Sequence, residues 1–318
     1  MLKIHYTWVG PPDRSGRKRD ILGPMAMMKA RYGPNCEPFV IDFWCLDAHT
    51  RHFHNTFRGK NFTVRGRDKL RVRSIESYLE SCVGERRRGF HHRSTPLMKV
   101  FNWGRYQTGW NLDLVVRHIV THSTRRGATV REIVNAKNIW SLYTMYRMGG
   151  YAMDTGVGPR NGRVNIRSYE SFKAPREQGT FYTLTDFSGR NCAVTPPVAN
   201  HLNVDPGYVT GPRMDVWTLY APAEDPILLY GLEWYLRYWY ALENARTSEP
   251  EEGYKDLCRN GIISTVMTAI CCGGNRRIRG NSVPDRIVAA NTWDAVLEGD
   301  GAGINDIGIT KTYYGSHH

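Results

Sequence analysis

The chain has 318 residues, of which 41% are hydrophobic and 12% aromatic, so it is neither disordered nor fibrous. Its 43 Lys and Arg against 30 Asp and Glu give a net charge of +13, and 33 of the basic residues are Arg. The excess is one-sided: residues 1–131 hold 25 basic and 10 acidic side chains (+15), residues 132–318 hold 18 and 20 (−2). Such a distribution points to a polyanionic partner, a nucleic acid or an acidic surface.

Seven cysteines, an odd number with no CxxC, argue against a disulfide framework and against a zinc site. No stretch of 18 apolar residues exists, the longest candidate being the 12 residues 261–272, and Leu2–Gly10 lacks the pattern of a signal peptide. The expectation is a soluble cytoplasmic protein with reduced thiols and no membrane partner.

Leu2–Val9 reads as a buried strand stopped by Gly10-Pro11-Pro12, Ile21–Arg31 as a short Met-rich helix, and Phe39–Trp44 as a second strand. That succession predicts an α/β fold with a parallel sheet. Residues 50–130 are basic, rich in His and Gly, and weakly periodic, so they read as an insertion or acceptor-binding subdomain within one domain spanning 1–318. His49, His52 and His54 read as surface loop. Within this segment Arg65, Arg67, Lys69, Arg71 and Arg73 alternate strictly, which on an extended chain places five charges on one face. Arg86, Arg87, Arg88 and Arg93 follow, interleaved with Phe90, His91 and His92. Bases of this kind track phosphates, and the ring can stack on an unpaired nucleobase. A solvated loop is the plain alternative.

Val130–Met148 carries a wide apolar face at helical spacing and ends at Gly149-Gly150. Tyr151–Thr155 reads as a strand running into Gly156 and Gly158, and a strand that ends on an acid and glycines is a usual ligand position in α/β folds. Further on, 179–185 and 207–210 read as strands, 196–197 and 211–212 as turns, Pro226–Ala245 as an aromatic amphipathic helix, and Gly261–Ile270 as another helix.

The stretch Ala136–Val157, AKNIWSLYTMYRMGGYAMDTGV, resembles the sugar-donor region of the DXD-motif glycosyltransferases, whose pattern is SDxxRxxxLYxxGGxYxDxD. Met145, Tyr146, Gly149, Gly150 and Asp154 fall on that pattern. Lys3–Gly10, KIHYTWVG, is similar to the family's first strand KIHFIWIG. Weaker likenesses lie at Gly261–Ile270 and at Tyr313–His318. The resemblance covers about half the chain in the right order and implies a GT-A-type mixed or parallel sheet flanked by helices.

It implies a hexosyltransferase that uses a nucleotide sugar, a UDP-sugar in first place, and retains anomeric configuration. Thr7, Trp8 and Val9 would line the base pocket, with Asn138, Gly149, Gly150, Tyr151, Asp154 and Gly156 around the donor. Asp154 would hold the ribose and, together with Ser316, His317 or His318, a divalent Mn or Mg ion. The chain departs from the pattern at three charged positions: Gly156 replaces the second Asp, Asn138 the upstream Asp and Ser141 the Arg. The basic half makes DNA the expected acceptor, in its simplest form a hydroxymethylated pyrimidine of the kind bacteriophages carry. Two rivals remain: a protein- or glycan-modifying transferase of the effector type, and an inactive relative that only binds nucleic acid.

Overall fold

The computed structural model describes residues 1–12, 22–58, 63–64, 67–68, 70–87, 112–166, 182–183, 187–192, 211–214, 218–224, 232, 235, 239 and 309–311. Its helices are α1 (Leu22–Lys29), α2 (Asp47–Arg58), α3 (Ile75–Arg87), α4 (Leu112–Ser123) and α5 (Val130–Met148). The strands are β1 (Leu2–Trp8), β2 (Arg31–Tyr32), β3 (Phe39–Cys45), β4 (Thr63–Val64), β5 (Arg67–Asp68), β6 (Leu70–Ser74), β7 (Gly150–Met153), β8 (Val157–Pro159), β9 (Arg163–Val164), β10 (Tyr182–Thr183), β11 (Phe187–Cys192), β12 (Gly211–Met214), β13 (Thr218–Ala221) and β14 (Ile309–Lys311). Six strands form the central sheet in the order β10-β13-β7-β1-β3-β6. This is the mixed α/β architecture expected, with helices flanking a mostly parallel sheet.

β1, β3 and β6 run parallel, with Tyr6 opposite Phe43 and Phe43 opposite Val72. Residues 4–7 of β1 are all buried, as are 41–45 of β3, because a parallel strand is covered on both faces. Helix α2 docks on β3 through Phe53 and Phe57, an i,i+4 pair whose rings lie 4.8 and 5.0 Å from that of Phe43. Burying each such ring is worth about 1.5–3 kcal/mol. Helix α5 buries Ala136, Ile139, Trp140, Leu142, Tyr143 and Met145. It starts with a reciprocal cap: the Thr129 N–H donates to Glu132 Oε2 at 2.7 Å, and the Glu132 N–H donates to Thr129 Oγ1 at 3.2 Å.

By internal contacts the chain divides into two compact units, Met1–Thr144 with Ala152–Ile166 and Gly308–His318, and Met145–Tyr151 with Arg167–Ile307. In the second, β10 pairs antiparallel with β13, β11 with β12, and Tyr151 packs against Tyr220 at 4.8 Å. Leu232, Tyr235 and Trp239, from the expected aromatic helix, are helical and buried, as core residues should be.

Two sequence expectations differ from the structure. The 50–130 segment contributes β6 to the central sheet, and helix α2 runs into it from Asp47. The three histidines 49, 52 and 54 sit on that helix and not in a loop; the Phe53/Phe57 stripe was the signal for it. Gly211 and Pro212 belong to β12, with Pro212 opposite Asn191 where the register shifts, an irregularity that accommodates a residue without an N–H. Gly261–Ile270 lies outside the described residues, as does most of the remaining second half.

Candidate active site

Parallel sheets present ligands at the carboxyl ends of their strands, where helices begin. Here α2 follows β3 and α3 follows β6 almost without a break, and Ser74 caps α3 by accepting the Ser77 N–H at 2.9 Å. At the same end of β1 lie Thr7, Trp8 and Val9. Thr7 is 3% exposed and Val9 4%, and neither Thr7 Oγ1 nor Trp8 Nε1 has a hydrogen-bond partner although both atoms are buried. Leaving a buried polar atom unpaired costs about 1–3 kcal/mol, so two in succession at a strand end mark a place where a ligand would repay the fold. Trp140 Nε1, within a cluster of Trp44, Tyr78 and Tyr143, is a third such donor.

Asp154 leaves β7 into a tight turn closed by the Val157 N–H on the Asp154 carbonyl at 2.8 Å. Gly156 occupies this turn. The Tyr6 hydroxyl, fully buried and pushed well above its ordinary pKa by that burial, donates to the Val157 carbonyl at 2.9 Å and so pins the turn to β1. Helix α1 touches the same loop: the Gly23 N–H donates to the Thr155 carbonyl at 3.0 Å, and a Cβ on Gly23 would lie 2.1 Å from the Val157 carbonyl oxygen. β14 pairs with β8 so that Lys311 is opposite Val157, which brings Ile309–Lys311 beside the loop. Ser316, His317 and His318 lie outside the described residues.

The Asp154 carboxylate receives the ammonium of Lys137 from α5. Their side chains are only 23% and 25% exposed, so this is a semi-buried ion pair and not a mobile surface contact. Lys137 was absent from the sequence-based site; its signal is position, since it falls on the serine that opens the DXD-family pattern. Asn138, its neighbour, is buried, and the Ser141 hydroxyl donates back to the Lys137 carbonyl at 2.9 Å.

Gly149 and Gly150 have φ of +66° and +100°, and a Cβ on Gly149 would lie 2.7 Å from the Ala223 nitrogen. The Glu224 N–H caps the Tyr146 carbonyl at 2.6 Å. The double glycine thus ends α5 and admits the 222–224 backbone. Tyr151 is wholly buried.

Of the expected metal ligands only Asp154 lies among the described residues, and among these no three His, Cys, Asp or Glu side chains group together. Asp154 also carries an ammonium already. Two unit charges 4 Å apart interact by about 4 kcal/mol at an effective dielectric of about 20, and a divalent ion doubles that repulsion.

Of the basic run, Arg71 and Arg73 meet a buried carboxylate within the fold. Arg71 Nε and Nη2 donate to the two oxygens of Asp42 at 2.7 and 2.9 Å, and Arg73 Nη1 lies 3.5 Å from Asp42 Oδ2. The Asp42 side chain is 0% exposed, and the Arg73 guanidinium stacks 4.7 Å above Trp44 and 5.8 Å from Tyr78. The alternation also fails to lie on one strand: Arg67 is in β5, paired antiparallel with β4, while Arg71 and Arg73 are in β6. Arg86 and Arg87 end α3; Arg65, Lys69, Arg88 and Arg93 lie outside the described residues.

No family model matches the chain, and no curated protein matches it. Among solved structures, the PaToxG glycosyltransferase superposes with a TM-score of 0.40 at 9% identity, over 96% of this chain and 79% of that one. Mouse xyloside xylosyltransferase 1 gives 0.41 at 10% over 84% and 80%, and the UDP-bound glycosyltransferase domain of the YGT toxin 0.34 at 12% over 96% and 78%.

Proposed function

We propose that this chain is a glycosyltransferase that takes a hexose from a nucleoside diphosphate sugar, UDP-linked in first place, to a hydroxyl acceptor. The observation that carries the reading is the carboxyl end of the sheet. Two unpaired buried donors follow one another at the end of β1, and a fixed carboxylate with its lysine leaves β7, at the two positions that match the donor-binding sequences. Thr7 Oγ1 and Trp8 Nε1 would take the acceptor atoms of the base, and Asp154 a ribose hydroxyl.

In the transfer the bond from the sugar's C1 to the terminal phosphate oxygen breaks, and its electron pair goes to that oxygen. A new C1–O bond forms to the acceptor hydroxyl, whose proton passes to the departing diphosphate. Preorganised positive charge beside the leaving group lowers the barrier.

The +15 of the first 131 residues supports DNA as acceptor, in the form of a hydroxymethylpyrimidine that leaves the stack to reach the donor. Since Asp42 holds Arg71 and Arg73, the alternating run offers duplex DNA about three contacts, and the log–log salt slope of binding should be roughly −2.7.

The test is mass gain after incubation with UDP- and GDP-sugars, with and without Mn²⁺, on hydroxymethylcytosine DNA, unmodified DNA and protein. Transfer is expected with the wild type and its loss with Asp154→Ala. Transfer by Asp154→Ala at the wild-type rate would refute the site. Sugar appearing on protein and not on DNA would replace the acceptor.

A further inference from the structure

We propose that Lys137 does the work of a metal ion: its ammonium, held on Asp154, meets the donor's diphosphate, so that nucleotide binding and transfer need no divalent cation. This rests on the glycosyltransferase reading above. Across positions 137, 138, 141, 154 and 156 this chain carries one carboxylate, Asp154, and one ammonium, Lys137, a sum of zero.

Geometry agrees with the count. Lys137 stands on the third turn of a 19-residue helix whose buried face is locked in the core, so the base of its side chain is immobile. The ammonium and carboxylate are each about three-quarters buried, which strengthens any further charge interaction there. An ammonium has three N–H donors, and one on Asp154 leaves donors for phosphate oxygens. During transfer it donates hydrogen bonds to the terminal phosphate as the C1–O electron pair arrives there, and it keeps its proton. A metal ion on Asp154 would have to displace it.

The experiment is calorimetric titration of UDP and GDP into the full chain, in EDTA and in Mn²⁺, with Mn²⁺ binding followed separately by electron paramagnetic resonance. The wild type should bind one nucleotide equally well in both buffers and hold no tight Mn²⁺. Lys137→Met should weaken binding in EDTA about tenfold or more and recover with Mn²⁺, because the ammonium no longer competes with a metal for the carboxylate. Lys137→Arg, which keeps the charge, should bind in EDTA more tightly than Lys137→Met.

Wild-type binding that requires Mn²⁺ would overturn the proposal and leave the transferase reading standing. Unchanged binding by Lys137→Met in EDTA would overturn it too. Absence of binding to either nucleotide in both buffers would remove the transferase reading and the proposal with it. Should Lys137→Met not fold, Lys137→Gln takes its place in the same titrations, with the same expected and overturning results.

Discussion

Asp42 is the most demanding charge in the described residues, and removing its partners tests whether the basic run is built into the fold. Its carboxylate is 0% exposed, gripped by both ends of Arg71 and approached by Arg73. Arg71 is half exposed, so its own charge stays largely solvated and the loss falls on Asp42. Arg71→Met removes two charge-assisted hydrogen bonds but leaves Arg73. With hydrogen bonds to charged groups worth about 1.5–3 kcal/mol and part of that replaced by Arg73, the cost should be about 2 kcal/mol. Arg71→Met with Arg73→Met strands the carboxylate, and breaking a buried pair in this way costs about 3–5 kcal/mol. Replacing the whole triad, with Asp42→Val added to the double variant, should recover most of that loss, since an apolar substitute leaves nothing unpaired.

Urea unfolding followed by far-ultraviolet circular dichroism reads this out: at a slope of about 2 kcal/mol/M, the single variant shifts the midpoint by about 1 M. The reasoning fails if the double variant unfolds within about 0.3 M of wild type, or if adding Asp42→Val lowers its stability further.

Gly149→Ala should cost well over 1 kcal/mol, because φ of +66° and a Cβ 2.7 Å from the Ala223 nitrogen both oppose it. Gly127→Ala, at φ +84° with nothing within 4 Å, should cost only the conformational penalty of about 1–2 kcal/mol; equal losses in thermal melts would contradict the close approach. Burial, with help from Glu76 and Asp47, pushes the Cys45 thiol up to about 12, so native protein at pH 8 should take iodoacetamide at half-buried Cys36 and not at Cys45. Peptide mass spectrometry would show the reverse if that environment were wrong.

Burial raises the Glu132 pKa, but hydrogen bonds from Thr129 and the Arg125 charge outweigh it and leave the group below its ordinary value of 4.5. A depressed carboxylate contributes stability that is complete above pH 4.5 and lost as pH falls through the folded-state value. Glu132→Gln should therefore be less stable than wild type at pH 7 and converge with it in acid; a gap that persists undiminished in acid would rule the linkage out.

Much of this molecule follows from local patterns alone. The largely apolar runs 2–8 and 39–45 are strands because both faces are covered, and α5 is a helix with a wide apolar face closed by a double glycine. The span Val130–Met148 was legible to the residue, since an apolar face at helical spacing runs up to the Gly149 stop. Asp154 was legible too, as the acid at a strand end. Its partner was not, because Lys137 lies 17 residues earlier and only the packing of α5 against the sheet lets the two charges meet. In the same way, period 2 from Arg65 to Arg73 read as one charged face. Tertiary pairing broke it between β5 and β6 and turned Arg71 and Arg73 toward Asp42, a buried anion two strands of sequence away. Period and composition are properties of neighbours along the chain, and they determine which elements form. Which charge faces which is decided only when strands from distant sequence come into register, because a carboxylate taken out of water must find its cation in space.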